Sequence, residues 1–321
     1  VQTIINTNIQ QAASFLKAGE IVAIPTETVY GLAANAFDAN AVAKVFEAKN
    51  RPFFDPLIVH THALEEVYKL VEEIPSPLLA LAKKYWPGPL TLLLPKKDII
   101  PYLVTSGLQT VGVRIPQQDD TLHLLQQLDF PLAAPSANPF GYVSPTSAQH
   151  VFDQLQGKIP YILDGGECKV GLESTIVGMQ HDVVTIFRIG GLSIEAIEAI
   201  VGKVIVNIHQ GDNPAAPGML SSHYAPYKAI IIGNINANII KYNNHKIGII
   251  SFKNQFSDIE AKYCYTLSVN GSLSEAAQHL FAAMRALDNS DIDIILTEEF
   301  PDEGLGRAIN DRLIRASFKS A

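Results

Sequence analysis

Polar residues in this chain gather beside short apolar runs, where a rigid sheet commonly presents chemistry on its loops. Pro25-Thr26-Glu27-Thr28-Val29-Tyr30-Gly31 sets two hydroxyls, a carboxylate and a phenol within one turn. The same residues also make a proline-nucleated turn with satisfied side chains, and the segment alone leaves both readings open. Lys49-Asn50-Arg51-Pro52 supplies two of the three cations between residues 21 and 60, the other being Lys44. A point-like ammonium beside a planar guanidinium commonly holds phosphate, although such a pair at a helix end also complements the dipole. Arg114 and Arg188 each interrupt an apolar run. A charge there either points to solvent or meets an anionic partner, because burying it unpaired is expensive. Pro135-Ser136-Ala137-Asn138-Pro139, Ser144-Pro145-Thr146 and Gly171-Leu172-Glu173-Ser174-Thr175-Ile176 add hydroxyl, amide and carboxylate groups.

From Lys49 and Arg51 alone a phosphate role is a weak signal. Ser136 lies outside any G-x-S-x-G elbow, so a serine hydrolase is not indicated. The chain has no G-x-x-x-x-G-K-[ST], no G-x-G-x-x-G and no H-E-x-x-H, and its nine histidines show no metal-ligand spacing. Gly304-Leu305-Gly306-Arg307 reads most simply as a loop before the last helix.

The elements that must position these groups follow from periodicity and punctuation. Helices are predicted over residues 9–18, 39–49, 78–86, 194–201 and a stretch including 151–155. Strands are predicted over 21–24, 56–60, 90–94, 111–115, 132–134, 161–163, 174–177 and 183–188. Some strands follow one another without an intervening helix, which predicts a mixed sheet. Residues 210–218 have the Pro, Gly and Asn content of a linker. Beyond it, strands over 229–233, 247–252 and 292–296 alternate with helices from the capping box Ser272-Leu273-Ser274-Glu275 and over 306–316. That rhythm predicts a small second α/β domain. The division is 1–206, a linker at 207–226, and 227–321.

Composition narrows the function classes. Of 321 residues, 47% are apolar and 17% charged, an ordinary globular balance. The net charge of −8 argues against a protein that coats nucleic acid through a broad basic surface. Cys168 and Cys264 form neither a disulfide framework nor a C-x-x-C pair, and are expected to be reduced thiols in a cytoplasmic protein. No basic n-region and no run of eighteen apolar residues occurs, so neither a targeting nor a membrane segment is expected.

The ordered set resembles the threonylcarbamoyl-AMP synthase family, the YrdC-like group, in its long two-domain form. The resemblance rests on Pro25-Thr26-Glu27-Thr28-Val29-Tyr30-Gly31-Leu32, Lys49-Asn50-Arg51-Pro52, Pro56-Leu57-Ile58-Val59-His60, Trp86-Pro87-Gly88-Pro89-Leu90-Thr91, Val113-Arg114-Ile115-Pro116, Ala134-Pro135-Ser136-Ala137-Asn138 and Glu173-Ser174-Thr175-Ile176. Pro217-Gly218-Met219 and His223-Tyr224-Ala225-Pro226 resemble the segment particular to the long form. Ala33 departs from the Gly of many relatives.

The resemblance implies a twisted mixed-sheet catalytic domain with a concave, locally positive pocket, followed by a smaller Rossmann-like domain. It implies that L-threonine, bicarbonate or CO2, and ATP give threonylcarbamoyl-AMP and pyrophosphate, for threonylcarbamoyladenosine modification of tRNA by a downstream transferase. Lys49 and Arg51 would be the catalytic pair on the triphosphate, with Mg2+ carried by ATP rather than by a protein cage. Thr26, His60, Arg114, Ser174 and the backbone near Ala134 would hold L-threonine. Thr110, Ser136, Asn138, Ser144 and Arg188 would surround the nucleotide, and Tyr224 would reach in from a linker acting as a lid. An RNA-binding module without adenylylating activity, a carbamoyl-transfer accessory domain and a non-catalytic nucleotide-binding regulator are the competing readings.

Overall fold

A computed structural model describes residues 2–208, 224–256 and 259–318. Among them, eleven strands form one mixed sheet: β1 (Ile4–Asn6), β2 (Val22–Ile24), β3 (Gly31–Asn35), β4 (Ile58–His60), β5 (Leu90–Pro95), β6 (Thr110–Arg114), β7 (Leu132–Ala133), β8 (Tyr161–Leu163), β9 (Thr175–Gln180), β10 (Val183–Arg188) and β11 (Ile205–Val206). They pair in the order β1-β8-β2-β3-β7-β4-β6-β5-β9-β10-β11. The pairs β2–β3, β3–β7, β4–β7, β5–β6 and β9–β10 are antiparallel and the others parallel. A separate parallel sheet holds β12 (Ala229–Ile232), β13 (Ile247–Ser251), β14 (Cys264–Thr266) and β15 (Ile294–Thr297), ordered β12-β15-β13-β14. The mixed sheet and the small α/β sheet are the architecture the sequence predicts.

The helices are α1 (Ile9–Lys17), α2 (Ala39–Lys49), α3 (Leu64–Leu70), α4 (Ser76–Tyr85), α5 (Tyr102–Thr105), α6 (Asp119–Gln126), α7 (Ala148–Leu155), α8 (Ile194–Val201), α9 (Ile235–Lys241), α10 (Leu273–Asp288) and α11 (Gly306–Ser317). Capping explains several limits. Asp38 opens α2 by accepting from the backbone N–H groups of Asn40 and Ala41. Asn50 closes it in the left-handed region at φ 51°, which asparagine tolerates. That reversal aims Arg51 back toward the loop of Asp55 and Pro56. Ala41, Val42, Val45 and Phe46 bury the inner face of α2. Only half of the predicted capping box forms at α10. Ser272 accepts from the Glu275 N–H, but the Glu275 carboxylate takes the hydroxyl of Ser268 at 2.5 Å instead of reaching back.

Helices α10 and α11 dock on loops of the larger sheet. Gly171, at φ 74°, sits where a Cβ would come within 2.5 Å of the Gln278 Cα on α10. Only glycine accepts both that backbone angle and that approach. The predicted linker and lid at 207–226 fall mostly on residues 209–223, which lie outside the described residues. Among the described residues no helix is long and apolar enough to cross a membrane.

Candidate active site

The parallel pairing of β4 with β6 places His60 directly beside Arg114. Both are buried and line one cavity with Thr26, Thr28, Val29, Gly31, Arg51, Ile58, Ala134, Pro135, Ser136, Glu173, Ser174, Arg188 and Tyr224. Three loops at strand ends close round this floor, after β2, after β7 and before β9. An antiparallel bridge between Gly31 and Ser136 ties the first two together. The enclosed space is about 50 Å3.

Arg114 meets an anion inside the protein, which decides between the two readings of its apolar strand. Its Nη2 lies 2.7 Å from Glu27 Oε1. Its Nη1 donates to Thr28 Oγ1 at 2.8 Å and its Nε to the Gly88 carbonyl at 3.3 Å. Nη2 pairs by charge only, without an aligned hydrogen bond, and both Glu27 carboxylate oxygens likewise lack an aligned donor. The buried guanidinium thus already faces one internal carboxylate. Thr26 Oγ1 donates to the Val29 carbonyl at 2.7 Å and accepts from the Thr28 and Val29 N–H groups, a local turn that fixes the loop. Burial, followed by the charge of Arg114, pushes the His60 imidazole down to about 3, so it is neutral near pH 7. Ser174 Oγ pairs with Thr91 Oγ1 at 2.7 Å, and Arg188 donates both to that hydroxyl and to the Ser174 carbonyl, each at 3.0 Å.

Two acidic side chains join the set although the sequence reading assigned them no role. Glu27 counters Arg114, and Glu173 accepts from Ser144 Oγ at 2.5 Å and from Arg312 Nε at 2.8 Å. Burial alone would push Glu173 up, but Arg312 and then Arg188 hold its carboxyl below the usual range. The only local signal was a carboxylate inside each polar motif. Their partners lie far along the chain, so nothing local reveals them.

Other predicted residues stand behind the wall rather than on it. Lys49 is buried, and its Nζ donates to the carbonyls of Ser136 and Asn138, each at 2.5 Å. Burial and then the neighbouring Arg51 push its ammonium well down. Asn138 Nδ2 donates to the carbonyls of Pro139 and Tyr142. Ser144 touches the cavity only through Glu173. Thr110 sits at the start of β6, four residues from Arg114 and so about 13 Å away along the strand. The structure does not bring it to the cavity.

The charges also bear on Mg2+. Glu27 is paired with Arg114, Asp55 with Arg51 at 2.9 Å and Glu173 with Arg312 at 2.8 Å. Among the described residues, no three His, Cys, Asp or Glu side chains cluster as a metal site.

Known proteins resemble the chain along nearly its whole length. Residues 14–190 match the Sua5/YciO/YrdC family, described as telomere recombination. Residues 192–317 match the family described as the threonylcarbamoyl-AMP synthase C-terminal domain. A threonylcarbamoyl-AMP synthase of Pyrococcus abyssi is 42% identical over 326 residues, spanning 96% of this chain and 94% of the relative. One of Bacillus subtilis is 39% identical over 320 residues, spanning 96% and 92%. The crystal structure of P. abyssi Sua5 complexed with L-threonine superposes with a TM-score of 0.90 at 39% identity, covering 98% of this chain and 97% of that one. Sequence motifs, cavity and full-length likeness converge, and the chain belongs to the Sua5/YciO/YrdC family.

Proposed function

We propose that this protein is an L-threonylcarbamoyladenylate synthase, a nucleotidyltransferase of tRNA modification. The threonine amine forms an N–C bond with CO2 and loses a proton, or with bicarbonate and loses water, giving a carbamate. A carbamate oxygen forms the new bond to the α-phosphorus of ATP as the bond to the pyrophosphate oxygen breaks, and pyrophosphate leaves. The observation that carries the reading is the buried Arg114, whose Nη2 sits 2.7 Å from Glu27 without an aligned hydrogen bond. A threonine carboxylate suits that donor, with Thr26, neutral His60, Ser174 and the backbone of Ala134 around it.

Arg51 and Arg188, both on the wall, supply the charge that a transferring phosphoryl group demands, and Ser136 lies beside them. Lys49, the other member of the expected pair, supports the site from behind the wall by holding the 136–138 loop. Asn138 and Ser144 support the nucleotide side, and Tyr224 reaches the cavity from the end of the linker. Mg2+ arrives on ATP and neutralises phosphate charge. Direct in-line transfer to the carbamate needs no covalent nucleophile from the protein. The chain divides into a catalytic domain of 1–206 and a smaller domain of 227–321, works in the cytoplasm, and hands its product to a tRNA-modifying transferase.

The test is pyrophosphate release from ATP, Mg2+ and bicarbonate with single amino acids. Release that needs threonine and bicarbonate together is the expected result. Absence of release under every condition would leave a binding protein.

A further inference from the structure

We propose that Arg312, on α11 of the C-terminal part, is a positioning residue for the active site and acts through Glu173. The inference rests on the synthase reading above. Arg312 is 0% exposed, among the largest fully buried side chains of the molecule. Its Nε donates to Glu173 Oε2 at 2.8 Å, its Nη2 to the Ile189 carbonyl at 2.9 Å and its Nη1 to Asp311 Oδ2 at 2.5 Å. Its guanidinium also stacks 4.8 Å from the ring centre of Tyr224. Glu173 and Tyr224 line the cavity, and Ile189 directly follows Arg188, which also lines it.

A buried ion pair is weak support for stability, since a well-packed apolar pair is often as good or better. What this one supplies is orientation. Glu173 is held on both oxygens, Oε2 by Arg312 and Oε1 by the Ser144 hydroxyl. With Arg312 gone, Glu173 would be a buried anion whose strongest remaining cation is Arg188. Arg188 is the group that fixes Ser174 by its hydroxyl and its carbonyl. Glu173 would then draw Arg188 away from Ser174 and from the phosphates. A second arginine from the same part acts in parallel, Arg285 of α10 donating to the Ser144 carbonyl at 3.2 Å. The C-terminal part thus grips the catalytic loops at Glu173 and at Ser144, which gives this appended sheet a role in turnover.

The experiment compares the full-length protein with Arg312→Met, Arg312→Lys, Glu173→Gln and the Glu173→Gln/Arg312→Met double variant. Circular dichroism and thermal melting check folding, and pyrophosphate release gives kcat and separate KM values for ATP and threonine. Arg312→Met should raise the KM for ATP about tenfold, the scale of a lost charged hydrogen bond. In the Glu173→Gln background the same change should cost less than about threefold, because no uncompensated carboxylate remains to capture Arg188. If Arg312→Met fails to fold, Arg312→Lys carries the test, with an expected rise of about threefold, because an ammonium cannot span Glu173 and the Ile189 carbonyl together. Folded variants with wild-type KM values, or equal effects in both backgrounds, would overturn the proposal while wild-type turnover leaves the synthase reading intact. A wild-type protein that releases no pyrophosphate would overturn the synthase reading and this inference with it.

Discussion

The contacts of Arg114 with Glu27 and of Arg312 with Glu173 join residues that the chain keeps far apart, and the chemistry of Arg114 shows why that matters. Glu27 neutralises its charge, while the donor on Nη2 stays unaligned. Arg114→Ala should therefore raise the KM for threonine by about 30-fold or more, the scale of a lost buried charge partner, and that for ATP much less. Steady-state kinetics with each substrate varied in turn measures this, and the opposite ordering would refute the assignment. His60 yields a pH prediction. Its folded pKa of about 3 lies below the unfolded value near 6.5. Between those values the unfolded chain holds a proton that the folded chain refuses, so stability is fully present above pH 6.5 and falls as pH drops toward 3. His150, pushed down to about 4 mainly by burial, adds the same sign. Melting temperature against pH should be flatter for His60→Gln over pH 4–6.5, and identical slopes would exclude the effect.

Among the elements, continuous apolar runs and well-capped helices were legible and several short segments between them were not. Helix α2 spans Ala39–Lys49, matching the predicted 39–49, because an Asp cap, an apolar stripe and a tolerant Asn agree on both ends. Strand β3 (Gly31–Asn35) was missed. Its Gly-Leu-Ala-Ala-Asn sequence carries no β-branched residue, and pairing on both edges makes it a strand. Strands β1, β11 and β14 and helices α3, α5, α6 and α9 were not read, although the equally short β4, β7 and β8 and the eight-residue α7 and α8 were. Predicted strand 56–60 begins only at Ile58, where the Pro56 carbonyl serves Arg51. The docking of α10 also makes a prediction. Gly171→Ala would set a Cβ against the Gln278 backbone at φ 74°. Overpacking plus left-handed strain should cost about 2–4 kcal/mol, read as a lower urea midpoint. A change below about 0.5 kcal/mol would mean that the two parts separate easily.

At the scale of the whole molecule, an acidic exterior encloses a few buried cations. The net charge is −8, yet Arg51, Arg114, Arg188 and Arg312 converge on one region. Those guanidiniums are buried round one cavity, so they offer no exposed stripe to a long polyanion. RNA binding in the absence of ATP should accordingly be weak, with a shallow dependence on salt between 50 and 200 mM. Filter binding across that range would test it, and a steep log–log slope would revive the RNA-binding reading. The two sheets also act as one unit at the site, because Arg285 and Arg312 enter loops that the first sheet presents.

By itself the sequence determined the class of fold, the places where polar groups collect and the absence of a nucleophile motif. These are local properties, written in the spacing of apolar residues and in the company each polar residue keeps. Tertiary structure alone decided which charge meets which. Glu27 finds Arg114 because the loop after β2 closes over the end of β6, and Glu173 finds Arg312 because α11 docks beside the loop before β9. It also moved Lys49 and Ser144 behind the wall and left Thr110 at the far end of its strand. Such pairings depend on strand order and on the docking of one sheet against another, and no local preference of the chain encodes them.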